Sequence, residues 1–180
     1  MTVKLFQTRK YPPPIGKVDK VPVFAGDPEC WLGSGTYFWE SFVDNAEKWG
    51  KTHCANSYKI SQKNYTYTKQ NCLNLVDDAE ALLMLKTLYE RIKEKNPNAL
   101  PRYLYSFLKL IRKGSESAKK YECARLLPYG GLRPVLKLEC SKDPSFRGEF
   151  YFTPPIQVCF WNRVQVDIED ISGVSPVNHI

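Results

Sequence analysis

The chain has 180 residues, 43% of them hydrophobic and 25% charged, and it carries 26 Lys and Arg against 19 Asp and Glu. This length and composition fit a single domain with a buried core and exclude a disordered or collagen-like chain. The formal net charge of +7 favours an anionic partner, such as a nucleic acid, a nucleotide or an acidic protein, and it carries no information about the fold.

Secretion, membrane insertion and metal binding are not expected from this sequence. The opening run MTVKLFQTRKYPPP has no long apolar segment, so we predict neither a signal peptide nor a transmembrane span, and a cytoplasmic location. The six cysteines are Cys30, Cys54, Cys72, Cys123, Cys140 and Cys159. None forms a CxxC pair and several lie in apolar runs, which predicts reduced thiols in the core. Because His53 and His179 are the only histidines, no metal site is predicted.

The first part of the chain predicts a strand, a loop, a second strand and a helix. VKLF (3–6) is a short strand that the prolines of YPPP end. After a Gly-Ser-Gly turn, TYFW (36–39) has the β-branched and aromatic content of a strand. A helix is predicted to follow, with Ser41 as its N-cap and Trp49 on its apolar face.

The remainder of the chain predicts further strands around two helices. The elements are a strand–turn–strand at 59–76, a helix at 79–95 capped by Asp77 or Asp78, a helix with Pro101 in its first turn and Gly114 at its end, and closing strands at 156–161 and 164–168. Strands at both ends and helices in the middle indicate the α+β class. In the simplest arrangement the terminal strands pair with each other.

Three segments carry a family resemblance. Residues 31–50, WLGSGTYFWESFVDNAEKWG, resemble the second signature of ADP-ribosyltransferase-like domains, where a small-residue turn leads into a strand with a Tyr and then a helix. Residues 154–162, PPIQVCFWN, resemble the third signature, a strand with a Glu or Gln near its start. Residues 119–131, KKYECARLLPYGG, resemble the strand and turn between them in bacterial and phage members. The resemblance implies one domain over 1–180, with a split β-sheet core around an NAD cleft and a helical insertion at about 77–114.

The family breaks the nicotinamide–ribose bond of NAD, and the resemblance implies roles for the matching residues. Tyr37 would pack on the nicotinamide, Gly33 and Gly35 would let the backbone approach the ligand, Trp49 would join them in binding the cofactor, and Gln157 would help to stabilise the transition state. As a neutral amide, Gln157 can accept a hydrogen bond but cannot act as a base near pH 7. Both main candidates have a structural alternative: Tyr37 as a strand aromatic with a wetted hydroxyl, and Gln157 as an edge-strand residue that pairs with backbone.

The chain departs from the family at the first signature, where members of the commonest subtype carry a His that grips a ribose hydroxyl. Here LFQTR (5–9) puts Gln7 at the position of the His, followed by Thr8 and Arg9. Gln7 could donate the same hydrogen bond through its amide, and Arg9 could meet a phosphate through its planar guanidinium. The alternative is that this stretch has lost cofactor binding.

Two charged residues and three tyrosines have open roles. Glu40 at the end of its strand could lie at a pocket mouth or serve the helix dipole. Arg125 could be a ligand-binding residue or a buried ion-pair partner. Tyr58, Tyr65 and Tyr67 are interleaved with lysines, a composition that suits stacking on unpaired bases and equally suits an exposed hairpin.

The resemblance predicts a metal-independent enzyme that transfers ADP-ribose from NAD to a macromolecule. The net charge of +7 tilts the acceptor towards nucleic acid, RNA or DNA, over protein. Compact members of this kind are often toxins or phage-defence effectors, which implies an antitoxin as a partner. The alternatives are a catalytically inactive module on the same fold that binds nucleic acid or a protein partner, and an enzyme that only hydrolyses NAD.

Overall fold

The core of the protein is an open, eight-stranded, mostly antiparallel sheet. The computed structural model describes residues 1–15, 22–55, 57–128, 137–139, 149–162 and 169–170. The strands are β1 Thr2–Lys10, β2 Phe24–Ala25, β3 Gly35–Glu40, β4 Tyr58–Thr66, β5 Cys72–Asn74, β6 Cys123–Leu126, β7 Lys137–Glu139, β8 Glu149–Tyr151, β9 Gln157–Phe160 and β10 Glu169–Asp170. Their order in the sheet is β10-β4-β1-β3-β9-β6-β5, with β2 on β3, while β7 and β8 pair separately. Among these described strands, only β5 and β6 run parallel to each other.

The helices lie mainly in the middle of the chain, which confirms the predicted α+β class. They are α1 Val43–His53, α2 Ala79–Lys95, α3 Leu104–Gly114 and the short α4 Glu116–Lys119. None of the helices in the described part of the chain is long and apolar enough to cross a membrane. Of the predicted closing strands, the first is β9, and the second, at 164–168, lies outside the described residues.

The start of α2 agrees with the prediction and the start of α3 does not. Asp78 caps α2, since its Oδ1 accepts hydrogen bonds from two backbone N–H groups of the first turn at 3.0 and 3.2 Å. α3 begins at Leu104, so the prediction that Pro101 lies in its first turn is wrong, although Gly114 does end the helix. A proline disfavours helical backbone at the residue before it. Leu100, which precedes Pro101, is accordingly extended, with φ −68° and ψ 123°.

The predicted N-cap of α1 is also wrong. The helix begins at Val43 with Phe42 as its N-cap, and no side chain caps it. Ser41 instead has φ 63°, in the left-handed region that residues other than glycine rarely adopt. Its backbone N–H donates to the carbonyl of Lys4 at 2.8 Å. Ser41 therefore forms the sharp turn that carries the chain from β3 into α1.

β1 pairs along its whole length with one neighbouring strand and only briefly with the other. All nine residues of β1 pair with β4. Against β3 only two pairs form, Leu5 with Glu40 and Phe6 with Trp39. The sheet therefore opens between β1 and β3 beyond Phe6. Among the described residues the first strand does not pair with a closing strand as predicted, because β3 and β4 flank β1 while β9 pairs with β3 and β6. The pairing of the second predicted closing strand, 164–168, lies outside the described residues.

Alternation along the strands sends side chains into cores on both faces of the sheet. One face carries Phe6, Trp39, Ala124 and Cys159 and is covered by α1 and by the α2–α3 pair. The opposite face carries Leu5, Phe38, Val158 and Phe160. Cys54, Cys72, Cys123 and Cys159 are buried as predicted for small core residues, Cys30 is half-buried, and Cys140 lies outside the described residues.

Candidate functional site

A cavity of about 910 Å³ opens beside α1, where β1 and β3 part. Its lining comes from β1, the loop at 23–31, β3, α1 and the start of β9. Five residues that the sequence singled out line it together, namely Gln7, Thr8, Tyr37, Trp49 and Gln157. The LFQTR segment and the two segments that resemble the second and third signatures therefore each contribute residues to one cavity.

Aromatic rings form one wall of this cavity. The rings of Trp39 and Trp49 lie 6.0 Å apart, and Trp49 stacks on His53 with centroids 3.7 Å apart and planes inclined by 15°. Trp49 and His53 are four residues apart on α1, which places them on the same side of the helix. Trp31 adds a ring at the rim and is 39% exposed. This surface suits a flat ligand ring.

Tyr37 presents its ring to the cavity, but its hydroxyl is bonded to the adjoining loop. The hydroxyl donates to the carbonyl of Gly33 at 2.7 Å and accepts from the N–H of Leu32 at 2.9 Å. Burial raises the pKa of Tyr37 well above its usual value, so the phenol is neutral. The indole of Trp161 holds the same loop by donating to the carbonyl of Leu32 at 2.7 Å. The alternative of a wetted hydroxyl is therefore wrong.

Gln7 fills the opening between β1 and β3 with its amide. Nε2 donates to the carbonyls of Tyr37 at 3.1 Å and Val23 at 3.0 Å, and Oε1 accepts from the N–H of Val23 at 2.7 Å. The residue is 5% exposed. The amide thus clamps β1 to β3 and to the loop, in place of the missing backbone ladder. Cofactor binding by Gln7 stays a prediction, and in this structure its donors are engaged with backbone.

The next two residues of the first signature are bonded internally as well. Thr8 lines the cavity and donates from Oγ1 to the carbonyl of Ala46 at 2.6 Å, which ties β1 to α1. Arg9 is buried and donates from Nη1 to the hydroxyl of Ser61 on β4. It does not line the cavity, and along β1 it lies on the opposite face from Thr8. The predicted phosphate contact of Arg9 is thus not available at this cavity.

The two glycines of the turn do not line the cavity either. A Cβ on Gly35 would lie 2.3 Å from Sγ of Cys159 and 2.6 Å from the carbonyl oxygen of Phe160. Gly35 therefore permits the close approach of β3 to β9, and not the approach of backbone to a ligand. Gly33 has φ 85° and open space around its Cα, so the turn requires a glycine there for its backbone conformation.

Gln157 lies on the cavity floor at the start of β9. It is directly opposite Trp39 in the register with β3, and opposite Leu126 in the register with β6. Because β9 has neighbours on both sides, the alternative of an edge-strand glutamine is wrong. Its side chain is 8% exposed, and none of the described residues hydrogen-bonds its amide. Buried amides normally have partners, so this one is suited to a ligand.

Few charged side chains line the cavity. Lys48 lies on α1, and Glu29 on the loop is the one carboxylate among the described lining residues. The two thiols nearby are not activated nucleophiles. Burial raises the pKa of Cys159 to about 12, and burial also raises the pKa of Cys30. The cavity can therefore act on a ligand by positioning it and by electrostatic interactions, without a thiol nucleophile.

A buried ion pair lies behind the cavity floor, on the opposite face of the sheet. Arg125 binds Glu40 in a bidentate manner, with Nε–Oε2 at 2.6 Å and Nη2–Oε1 at 2.7 Å. The hydroxyl of Tyr67 donates to the same carboxylate at 3.0 Å, and Nη1 of Arg125 donates to Asp77 at 2.9 Å. Burial would lower the pKa of Arg125, but the hydrogen bonds and charge of Glu40 raise it above its usual value. Of the open roles, Arg125 therefore takes that of a buried ion-pair partner.

The tyrosines around β4 do not form a stacking surface. Tyr58 is 8% exposed and Tyr67 is 9% exposed, and both pack in the core. Tyr65 is half-buried, meets Phe160 edge-on at 4.8 Å and donates its hydroxyl to Glu122 at 2.9 Å. The interpretation of this segment as a platform for unpaired bases is therefore wrong.

Several lining residues were not predicted as site residues, although the sequence spacing indicates two of them. Trp39 follows Tyr37 by two residues in a strand, which puts both on one face. His53 follows Trp49 by four residues in a helix, which puts both on one side. Trp31 had no such signal, because its loop is held by the hydrogen bond from Trp161 to Leu32, residues that are 129 positions apart.

Comparisons with protein-family models, with curated proteins and with solved structures found no match to this chain. Among the residues that the structure describes, no group of three or more His, Cys, Asp and Glu side chains could hold a metal ion.

Replacing Gln7 with methionine is expected to lower the free energy of unfolding by about 1–2 kcal/mol. Methionine keeps the length of the side chain but leaves the bonded backbone groups of Tyr37 and Val23 without this partner. Urea unfolding measures the loss. The control is Gln62→Met on β4, because Gln62 is half-buried and no described residue hydrogen-bonds its side chain. Equal losses in the two variants would contradict the clamp.

Proposed function

We propose that the cavity binds NAD and that the protein transfers ADP-ribose to a macromolecular acceptor, with nucleic acid preferred over protein. The observation that carries this proposal is that Tyr37, Trp49 and Gln157 line one cavity, since they come from the two segments that resemble the second and third signatures of ADP-ribosyltransferase-like domains. Thr8, from the segment that departs from the first signature, lines the same cavity. By the same resemblance we propose a cytoplasmic toxin or phage-defence effector, held in check by an antitoxin.

The cavity has the size and chemistry that a dinucleotide requires. Its volume of about 910 Å³ lies within the range of roughly 300–1,000 Å³ common for ligand pockets. The wall of Trp39, Trp49 and His53 suits a planar ring, and Lys48 on α1 suits a phosphate. In the family's reaction NAD supplies the nicotinamide–ribose bond, whose cleavage leaves positive charge on the ribose.

The residues on the floor can serve such a reaction without a base. The amide oxygen of Gln157 can accept a hydrogen bond from a ribose hydroxyl and bring its dipole towards the developing charge. The ring of Tyr37 can hold the leaving group flat, because its hydroxyl fixes its position. The rings of Trp39 and Trp49 make this side of the cavity apolar, which would strengthen both effects.

One observation favours the alternative of a binding module without catalysis. All three polar side chains of the first signature, Gln7, Thr8 and Arg9, are engaged in hydrogen bonds within the protein. In the commonest members of the family a His binds a ribose hydroxyl at this position. The donors of Gln7 and Thr8 that could replace it are already bonded within the protein. This arrangement is compatible with binding a nucleotide through the aromatic wall and Gln157 alone.

The test is incubation of the purified protein with NAD labelled on its adenine phosphate, together with RNA, DNA and protein from cells. Label transferred to a macromolecule supports the transferase and identifies its acceptor. Loss of NAD without transfer indicates hydrolysis only, binding without loss indicates the inactive module, and absence of binding contradicts all three.

Trp49→Ala is expected to weaken NAD binding about tenfold, which corresponds to about 1.4 kcal/mol, while Trp49→Phe retains most of the affinity. Titration calorimetry measures both. Tyr103→Ala is the control, since Tyr103 is an exposed aromatic residue that does not line the cavity. Equal affinity in the alanine and phenylalanine variants would remove Trp49 from the binding site.

A further inference from the structure

The segment from the start of α2 to the end of α3, residues 79–114, carries a large excess of positive charge. Residues 79–114 contain eight Lys and Arg and three Glu, a net charge of +5, against +7 for the whole chain. Two of these glutamates already have partners. Glu80 pairs with Lys69 at 2.6 Å. Glu90 pairs with Lys86 at 3.9 Å. The outer surface of α2 and α3 is therefore strongly basic.

The same two helices expose large apolar side chains along one side. Leu82 and Tyr89 are seven residues apart on α2 and are 44% and 36% exposed. Tyr103 and Leu110 are seven residues apart at the start of and along α3, and are 53% and 44% exposed. Tyr89 meets Phe107 edge-on at 5.5 Å, and Phe107 lies one helical turn from both Tyr103 and Leu110. The four exposed side chains thus form one band across the helix pair, here called the α2–α3 band.

Basic side chains border this band. They are Lys86 and Lys93 on α2, and Arg102 and Lys113 around α3. The lysines lie three or four residues from a member of the band, so they are its neighbours on the helix surface. The guanidinium of Arg102 lies 5.5 Å from the ring centre of Tyr103. Of the four, only Lys86 has an ion pair with a described carboxylate.

We propose that the α2–α3 band is the docking surface for an acidic protein partner that presents an apolar helix face. An apolar strip within a basic border is complementary to an amphipathic segment with leucines on one side and carboxylates on the other. The inner sides of α2 and α3 are already occupied, because Leu85, Phe107 and Ile111 are buried against each other. A partner therefore meets only the outer band.

The aliphatic members of the band favour a protein over a nucleic acid. Phosphates would engage the lysines, but a nucleic acid offers little to Leu82 and Leu110, or to Leu83 beside them, which is 63% exposed. The proposal is independent of the chemistry of the cavity, because neither α2 nor α3 contributes a described residue to its lining.

The test uses the full-length protein and a synthetic helical peptide of about five turns, with leucines on one side and glutamates elsewhere. A peptide of the same composition in scrambled order is the control ligand. Fluorescence anisotropy is expected to show at least about tenfold tighter binding of the ordered peptide, and this preference should weaken as salt is added.

Variants locate the surface. Leu82→Gln with Leu110→Gln is expected to weaken binding about tenfold or more, and Lys93→Glu with Lys113→Glu should do the same and remove most of the salt dependence. The controls are Ile15→Gln and Lys51→Glu, exposed residues away from the band, and they should bind as the wild type does. Circular dichroism and thermal unfolding establish that each variant is folded.

Three outcomes would overturn the proposal. The first is equal binding of the ordered and scrambled peptides, and the second is unchanged affinity in both band variants. The third is loss of binding by these variants only towards single-stranded RNA or towards vesicles of phosphatidylserine and phosphatidylcholine. That result would assign the band to a nucleic acid or to a membrane surface instead.

Discussion

Replacing Arg125 with methionine is expected to lower the free energy of unfolding by about 3–5 kcal/mol, the largest effect that we predict for a single side chain. The substitution leaves the carboxylate of Glu40 buried, at 3% exposure, without its cation. The hydroxyl of Tyr67 remains as a partner but cannot neutralise the charge. Urea unfolding followed by circular dichroism measures the loss.

Two further variants separate this effect from the loss of any ion pair. Lys69→Met removes the exposed pair with Glu80 and is expected to leave the free energy of unfolding nearly unchanged, because solvent screens that pair. The double variant Arg125→Met with Glu40→Leu is expected to recover most of the stability, since apolar side chains can replace a buried pair. A loss in Arg125→Met no larger than that in Lys69→Met would contradict the prediction.

Gln157→Ala is expected to lower the kcat of NAD turnover by about 10²–10³-fold, with little change in KM. This prediction depends on the proposed function. It rests on the position of Gln157 on the cavity floor, opposite Trp39, with its amide unbonded by the described residues. A hydrogen bond that strengthens as charge develops on the ribose acts on kcat rather than on binding. Steady-state kinetics with NAD measures both constants.

The control for this prediction keeps the acceptor oxygen. Gln157→Glu is expected to bind NAD about as tightly as the wild type, because a carboxylate oxygen takes the place of the amide oxygen. Gln62→Ala on β4, away from the cavity, should leave both constants unchanged. A rise in KM at constant kcat in Gln157→Ala would reduce Gln157 to a binding residue, and no change at all would place the reaction elsewhere.

Two consecutive residues of β3 belong to the candidate site and to the buried ion pair, and their side chains lie on opposite faces of the sheet. Trp39 contributes to the cavity wall, and Glu40 reaches through the other face to Arg125 on β6. Between them runs β9, which carries Gln157. The ion pair therefore links β3 to β6 across β9, whose first residue, Gln157, lines the cavity.

Local patterns in the sequence determined much of the secondary structure and part of the site. Alternation and β-branched content predicted β3 and β9, and helical spacing predicted α1 and α2. The adjacent carboxylates of Asp77 and Asp78 predicted the N-cap of α2, which is Asp78. These features depend on residues within a few positions of each other, so the sequence contains them directly. The resemblance of the signature segments singled out Tyr37, Trp49 and Gln157, which line one cavity.

Only the tertiary structure decided which strands are neighbours and which polar groups remain available. Gln7 was expected to face a ligand, but β1 and β3 part after two pairs, so its amide takes the place of the absent ladder. Glu40 and Arg125 are 85 residues apart and meet because β3, β9 and β6 are adjacent. A side chain's partners across a sheet depend on the order of all its strands, and no local pattern specifies that order.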